Sequence, residues 1–371
     1  MRKPFSRVIR WASACGPQRY SYGVVLGAVA LGLLAPSWAS WVLGPVLLLG
    51  LVLLGVAHGA CDQFVVPATH PALARDRMRY WVVFLGGYLG LAAAVGALWW
   101  WQPGLAVAFF FGLSAWHWGS GDAPAAARHR AQWLAHSLLR GALLFAVPLL
   151  AWPAATLVLI NGLLTLAGAA PIGAPTLTTV AQLLGPVVVG GHLLLWASYW
   201  LQGQGRVAQT DVLEGLLLTA LLTALPPVLA GSVYFVFWHS LQHVLRMNAL
   251  MGRASARGWA ALARELGFFL RRSAPLLAIS VATLAALFGW QWARSAGGPV
   301  LISLALLVAS VVTLPHALLV TLGLDAARWT GGKTTTQAAT ARPFSATNAG
   351  YSPPSTRSGV RGATSGSATP G

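Results

Sequence analysis

The sequence predicts an all-α fold, a polytopic transmembrane helical bundle of about ten spans with the N- and C-termini cytoplasmic, and three observations lead there. Only 8% of the 371 residues are charged, against roughly 25% in an average soluble domain, while 57% are hydrophobic and the mean hydropathy is +0.67. Uncharged stretches of about 20 residues recur along almost the whole chain, the length that carries a helix across about 30 Å of hydrocarbon. The bases, 24 Lys and Arg against seven acids, cluster at the N-terminus, in short loops and in the tail. Lipid gives an open sheet edge no hydrogen-bonding partner, so helices remain. The net charge of +17 therefore reads as positive-inside topology and contact with anionic membrane lipid, and no nucleic-acid partner is expected.

Taken in order, residues 1–19 read as a basic cytoplasmic arm, 20–325 as the transmembrane catalytic domain, and 331–371 as a disordered tail of Gly, Ser, Thr, Ala and Pro that buries nothing. The basic start leads into an ordinary span, so no cleavable signal is expected. Two cysteines, Cys15 and Cys61, make no disulfide framework. Spans at 20–36 and 41–62 turn at Pro36-Ser37-Trp38, and Arg75, Arg77 and Arg79 bring the next loop to the cytoplasm. Spans at 80–101 and 104–120 turn at Pro103-Gly104 and lead to a second basic loop with Arg128 and Arg130. A fifth span covers 133–150, with Arg140 turned inward or snorkelling. The apolar piece 153–170 is read as re-entrant or interfacial, because spans at 181–201, 212–229, 231–248, 273–292 and 298–323 keep Arg206 and the Arg253–Arg272 bases inside only if it does not cross. Trp38, Trp41, Trp99 to Trp101, Trp152, Trp200, Trp290 and Trp292 fall near span ends, as interface anchors do.

Ionisable groups in lipid need a reason. His239 and His243 stand four residues apart, so on a helix they share a face about 6 Å apart and can reach one metal ion. His58 in Gly55-Val-Ala-His-Gly-Ala-Cys-Asp62, His117 in Ser114-Ala-Trp-His-Trp-Gly-Ser-Gly-Asp122, and His316 after Pro315 lie in other spans that run in the same direction, each in the cytoplasmic half. Five imidazoles at similar depth on four helices describe a metal site in a bundle core. Asp62, one turn past His58, is placed to accept from its second ring nitrogen or to bind metal itself. Asp122 has the same relation to His117, although Gly119 and Gly121 predict that the helix has ended there. His316 is a fifth ligand, a donor to a ligand, or a residue satisfying the backbone freed by Pro315. His192 reads as a helix-packing group, and His70, His129 and His136 as solvated. Asp76, Glu265 and Asp325 read as ion pairs among arginines, and Asp211 and Glu214 as first-turn acids favoured by a helix dipole.

The set excludes much. There is no His-Glu-x-x-His peptidase motif and no Gly-x-Ser-x-Gly elbow. An all-imidazole set suits Zn, Cu, Fe or Ni, and open coordination positions suit Fe(II) with O2. A substrate lacking acidic and basic groups, taken from the lipid, would match the shortage of acids and bases.

At His58-Gly-Ala-Cys-Asp62, Ser114 to Asp122, Trp238-His-Ser-Leu-Gln-His243 and Pro315-His316 the chain resembles the Brp/Blh family of membrane β-carotene 15,15′-oxygenases, over about residues 45–320. The resemblance implies a non-haem Fe(II) held by His58, His117, His239 and His243. It also implies O2-dependent central cleavage of β-carotene to two all-trans retinal in a multi-pass cytoplasmic membrane protein, with hand-over of retinal to a rhodopsin. Trp116, Trp118, Phe235, Phe237 and Trp238 would line an apolar tunnel for a rod-like polyene. The family pattern often has Pro and Phe where Ala57 and Trp118 stand, and bulk at Trp118 bears on which polyene is admitted. Competing readings are a lipid desaturase or hydroxylase, a bis-His haem b electron carrier and a transporter with a histidine pathway.

Overall fold

The computed structural model describes residues 18–124, 129–253, 258–294 and 298–326, all helices and short connections, with no strand among them. The tail at 331–371 and most of the basic arm, with Cys15, lie outside the described residues. Helix α1 is Gln18–Leu34, and α2 starts at Pro36 and runs to Thr69 through a π turn (Leu51–Val56) and a 3-10 turn (Gly59–Phe64). Then come α3 (Arg77–Trp101), α4 (Pro103–Asp122), α5 (Arg130–Ala151), α6 (Pro153–Leu166), α7 (Ala174–Leu201) and α8 (Gly205–Ala224). Helix α9 covers 227–250 and contains a π segment, Tyr234–Ser240. Helix α10 is Trp259–Arg294, and α11 is Gly298–Leu319 continued by the π turn Val320–Leu324.

Proline sets the reversals. Pro36, Pro103 and Pro153 each sit at the first turn of a helix, where a missing N–H costs nothing, directly after a non-helical residue (Ala35, Gln102, Trp152). Among the described residues seven helices are long and apolar enough to cross a membrane: α2, α3, α5, α7, α8, α10 and α11. Helix α6 has 14 residues, about 21 Å of rise, less than the ~30 Å of a hydrocarbon core. Its return is closed by Asn161, which accepts from the Ile172 amide at 2.8 Å and donates to the Ile172 carbonyl at 3.1 Å. Helix α10 is longer than the expected span 273–292: 36 residues, about 54 Å, including Arg264, Arg271 and Arg272.

Most of the tryptophans expected at interfaces are exposed, as in Trp38, Trp41, Trp100, Trp101, Trp200, Trp290 and Trp292. Two turn inward instead. Trp99 is buried and donates to Ser310 Oγ at 2.7 Å, and Trp152 donates to the Leu222 carbonyl at 3.0 Å, because each indole N–H found a polar partner inside the bundle. Asp76 is no ion pair but the N-cap of α3, accepting from the Arg79 amide at 3.0 Å. Glu265 and Asp325 do pair with arginine, with Arg253 at 3.0 Å and Arg246 at 2.8 Å.

Small residues bring the site-bearing helices together. A Cβ on Gly119 would stand 1.8 Å from the Ser137 carbonyl oxygen, and one on Gly141 1.8 Å from that of Ala115, so α4 and α5 touch backbone to backbone. Gly50 and Gly55 of α2 face Val236 and Phe235 of α9 in the same way, with a Cβ falling 2.6 and 2.9 Å from those side chains.

Gly141→Ala is expected to destabilise by about 3 kcal/mol or more, since backbone cannot move aside as a side chain can. Gly86→Ala, with open space around it, should leave the midpoint unchanged or slightly raised. Thermal unfolding in detergent checks both.

Candidate metal centre

The five histidines singled out above meet at one place, where α2, α4, α9 and α11 converge, and all are buried. His58 caps the 3-10 turn of α2, two residues past the π turn, and His239 lies within the π segment of α9. His316 stands one turn before the π turn of α11. Such wide turns mark functional sites disproportionately, and here three of the four helices carry one.

Four of the ring nitrogens have a partner within hydrogen-bonding distance. His58 Nδ1 is 2.5 Å from the Gly55 carbonyl, which only accepts, so Nδ1 carries the proton and Nε2 keeps its lone pair. His316 Nδ1 is 2.9 Å from both oxygens of Asp62, which leaves Nε2 as its free acceptor. His117 Nε2 and His239 Nε2 lie 3.1 Å apart. The nitrogens His117 Nδ1, His243 Nε2 and His316 Nε2 are buried with no hydrogen-bond partner among the described residues. One donor nitrogen each from His58, His117 and His316 lies within 4.8 Å of the others, and so do donor atoms of Asp62, His243 and His316.

A divalent metal fits this set. Each orphaned buried nitrogen costs about 1–3 kcal/mol, and imidazole is the ligand that Zn, Cu, Fe and Ni share. With metal–nitrogen bonds of about 2.1 Å, two nitrogens at right angles around one ion lie about 3.0 Å apart, close to the His117–His239 separation. The His239–His243 pair, read from sequence as the nucleus of the site, stacks in parallel at 6.3 Å between ring centroids. His316 is more central, with centroids 4.8 Å from His58, 4.8 Å from His117 and 5.1 Å from His243.

Both carboxylates have partners other than those expected. Asp62 accepts from His316 and from Tyr88 OH at 3.2 Å, not from His58. In a 3-10 turn of three residues per turn, a residue four further on is rotated about 120° from the first, and Gly59–Phe64 has that form. Asp122 accepts from Tyr234 OH at 3.0 Å and from Trp238, not from His117. Helix α4 continues through Gly119 and Gly121 to Asp122, so five α-helical residues turn the carboxylate about 140° away from the imidazole.

Of the aromatic residues expected around a substrate, Phe235 and Trp118 adjoin the imidazoles. Phe235 stacks on His239 at 6.1 Å and meets His58 edge-on at 5.4 Å, and Trp118 lies 6.0 Å from His239. Trp116 donates to Thr321 Oγ1 at 3.2 Å. Phe237 and Trp238 pack into the core between α1, α5, α8 and α9, Trp238 edge-on to Tyr22 at 5.3 Å. A small pocket opens beside the cluster between His117, Asp122, His239, His243 and Arg246. Tyr88, Tyr234 and Arg246 were not singled out in the sequence, because no spacing relates them to the histidines.

The model of the beta-carotene 15,15′-dioxygenase family matches residues 49–323, a stretch that holds all five histidines and both carboxylates. The chain belongs to the β-carotene 15,15′-dioxygenase family. It is similar to a Halobacterium salinarum protein described as probable beta-carotene 15,15′-dioxygenase Blh, 30% identical over 299 residues, covering 73% of this chain and 81% of that one. A second protein of that organism, probable beta-carotene 15,15′-dioxygenase Brp, is 29% identical over 231 residues, 57% of this chain and 62% of its own length. No solved structure matches. The family match and these relatives make the chain a β-carotene 15,15′-dioxygenase-like enzyme.

The dioxygenase also holds a second polar centre. His136, expected in solvent, is buried, with Nδ1 3.0 Å from Tyr199 OH and Nε2 3.0 Å from Asp211. Arg140 turns fully inward and pairs with Asp211 and, at 3.0 Å, with Glu214. Asp211 also accepts from Trp196 at 2.6 Å, and Glu214 from Tyr22 OH at 2.5 Å. These acids lie beyond the first turn of α8, so their partner is the guanidinium and not the helix dipole. His192 donates from Nδ1 to the Val188 carbonyl of its own helix at 2.8 Å. His70 and His129 are exposed as expected.

Arg140→Met should cost about 3–5 kcal/mol, because two carboxylates stay buried without their cation. Adding Asp211→Asn and Glu214→Gln should recover part of that loss in the unfolding midpoint.

Proposed function

We propose that the enzyme holds one non-haem Fe(II) through His58, His117, His239 and His243 and uses O2 to cleave β-carotene at its central 15,15′ double bond, giving two all-trans retinal. The observation that carries this reading is the 3.1 Å approach of His117 Nε2 and His239 Nε2 within a buried, all-imidazole cluster. Iron bound there would supply the one-electron chemistry that lets triplet O2 react with a closed-shell hydrocarbon.

The chain's own residues do the rest. His58 is held in one tautomer by the Gly55 carbonyl, so its ligating nitrogen is ready without a proton to lose. Phe235 and Trp118 form the apolar wall next to the imidazoles, against which a polyene can be held in register. Cleavage of a C=C bond with both oxygen atoms entering the two aldehydes leaves no proton over. That balance suits a site whose two nearest carboxylates, Asp62 and Asp122, are already engaged by His316 and Tyr234. Burial of the cluster keeps reactive species from water.

The membrane reading is part of the proposal. Counting α1, α4 and α9 with the seven long apolar helices and leaving out α6 gives ten crossings, which put the basic loops and both ends in the cytoplasm of a cell membrane. Substrate would then enter from lipid and retinal leave into it, within reach of a membrane rhodopsin. Bulk at Trp118, beside His239, is the feature to vary when asking which polyene is admitted.

In carotene-accumulating cells, His239→Ala and His243→Ala proteins that insert normally are expected to leave the cells coloured and to lower retinal roughly 100-fold or more, since removing a ligand costs at least what removing a ligand's support does. Extracted retinal, normalised to membrane-inserted protein, is the readout. Retinal at the unsubstituted level with iron still bound would refute the proposal.

A further inference from the structure

His316 has more to do than the proposed four-histidine set gives it. Its Nδ1 is taken by Asp62, 254 positions away in the chain, so it does not satisfy the backbone that Pro315 frees in its own helix. Nor does it support another ligand, because its one N–H goes to a carboxylate. What remains is Nε2, an unprotonated nitrogen buried without a partner among the described residues, on a ring whose centroid lies 4.8 Å from those of His58 and His117. A ring nitrogen of His316, with one each from His58 and His117, falls within 4.8 Å. Asp62 is itself buried and fixed by Tyr88 OH at 3.2 Å.

We infer that His316 is a fifth imidazole ligand, and that Asp62, held by Tyr88, is the positioning residue that fixes its tautomer and aims its Nε2 at the ion. The inference rests on the iron reading above. A carboxylate behind a ligating histidine orients the ring and makes it more basic, and Tyr88-Asp62-His316 has that order. It also bears on how many positions stay free. A six-coordinate ion with five imidazoles keeps one, and β-carotene, a hydrocarbon without donor atoms, needs none, so the remaining position can serve O2 alone. The two three-residue groups that share His316, one with His58 and His117 and the other with Asp62 and His243, are then two sides of a single site.

The test is anaerobic titration of the purified full-length protein with ferrous iron against a competing chelator. His316→Ala is expected to weaken iron binding about 100-fold or more and Asp62→Asn about 10- to 100-fold. Free imidazole should restore affinity to His316→Gly, which a structural role would not allow, and should do nothing for Asp62→Asn. X-ray absorption of iron in the unsubstituted protein is expected to count five imidazoles, and this decides the matter if the variants do not insert. A folded His316→Ala protein with unchanged iron affinity, or a four-imidazole spectrum, overturns the inference while His239→Ala still abolishes binding. Unchanged affinity in His239→Ala as well would instead overturn the iron reading beneath it.

Discussion

In hydrocarbon every buried polar atom must find its partner within the protein, and this bundle depends on that constraint twice. Between α1, α5, α7 and α8 it is mostly met, by ion pairs and hydrogen bonds among Arg140, Asp211, Glu214, His136, Tyr22, Tyr199 and Trp196, with Arg140 Nε and Nη1 left without a hydrogen-bond partner among the described residues. Where α2, α4, α9 and α11 converge it is not. Three imidazole nitrogens are left over, and two more approach to 3.1 Å. A divalent cation drawn in among them would accept their lone pairs. The first centre ties the scaffold together, and the second is the candidate site.

Close approach of helices makes the convergence possible. The glycine contacts between α4 and α5 hold His117 beside the α9 histidines, and those between α2 and α9 seat His58 against Phe235. The π turns do complementary work by widening the helix and shifting the register, so that side chains from four helices reach a common point instead of following the regular 3.6-residue spiral. Together they place the site near the same end of all four helices, beside the pocket that reaches Arg246.

Much of this was legible in the sequence, because the signals are local. Charge-free stretches located the helices, prolines 36, 103 and 153 located the reversals, and histidines in apolar runs located the site. The apolar piece 153–170 reads as non-crossing from the balance of loop charges, and the helix inside it, Pro153–Leu166, has 14 residues. Less legible was everything that needs a distant partner or an irregular turn. Asp62 was assigned to His58 by α-helical spacing, but a 3-10 turn rotates it away and toward His316. By sequence Asp122 has the same relation to His117, although Gly119 and Gly121 predict that the helix has ended; α4 continues through both glycines, and Tyr234 claims the carboxylate. His136 beside a basic loop looked solvated, since nothing local announces Asp211 and Tyr199. Family resemblance supplied what spacing could not, namely the substrate and the reaction, and the family match over 49–323 bears out the membership that the motifs indicated.

The central claim is that the unsatisfied imidazoles exist to hold iron without a porphyrin. Metal analysis of the purified, unsubstituted protein, combined with its visible spectrum, tests it most directly. About one iron per chain is expected, as an imidazole-rich site with open coordination positions favours, and no haem absorption band. A haem spectrum, or protein that cleaves carotene while holding no iron, would contradict it.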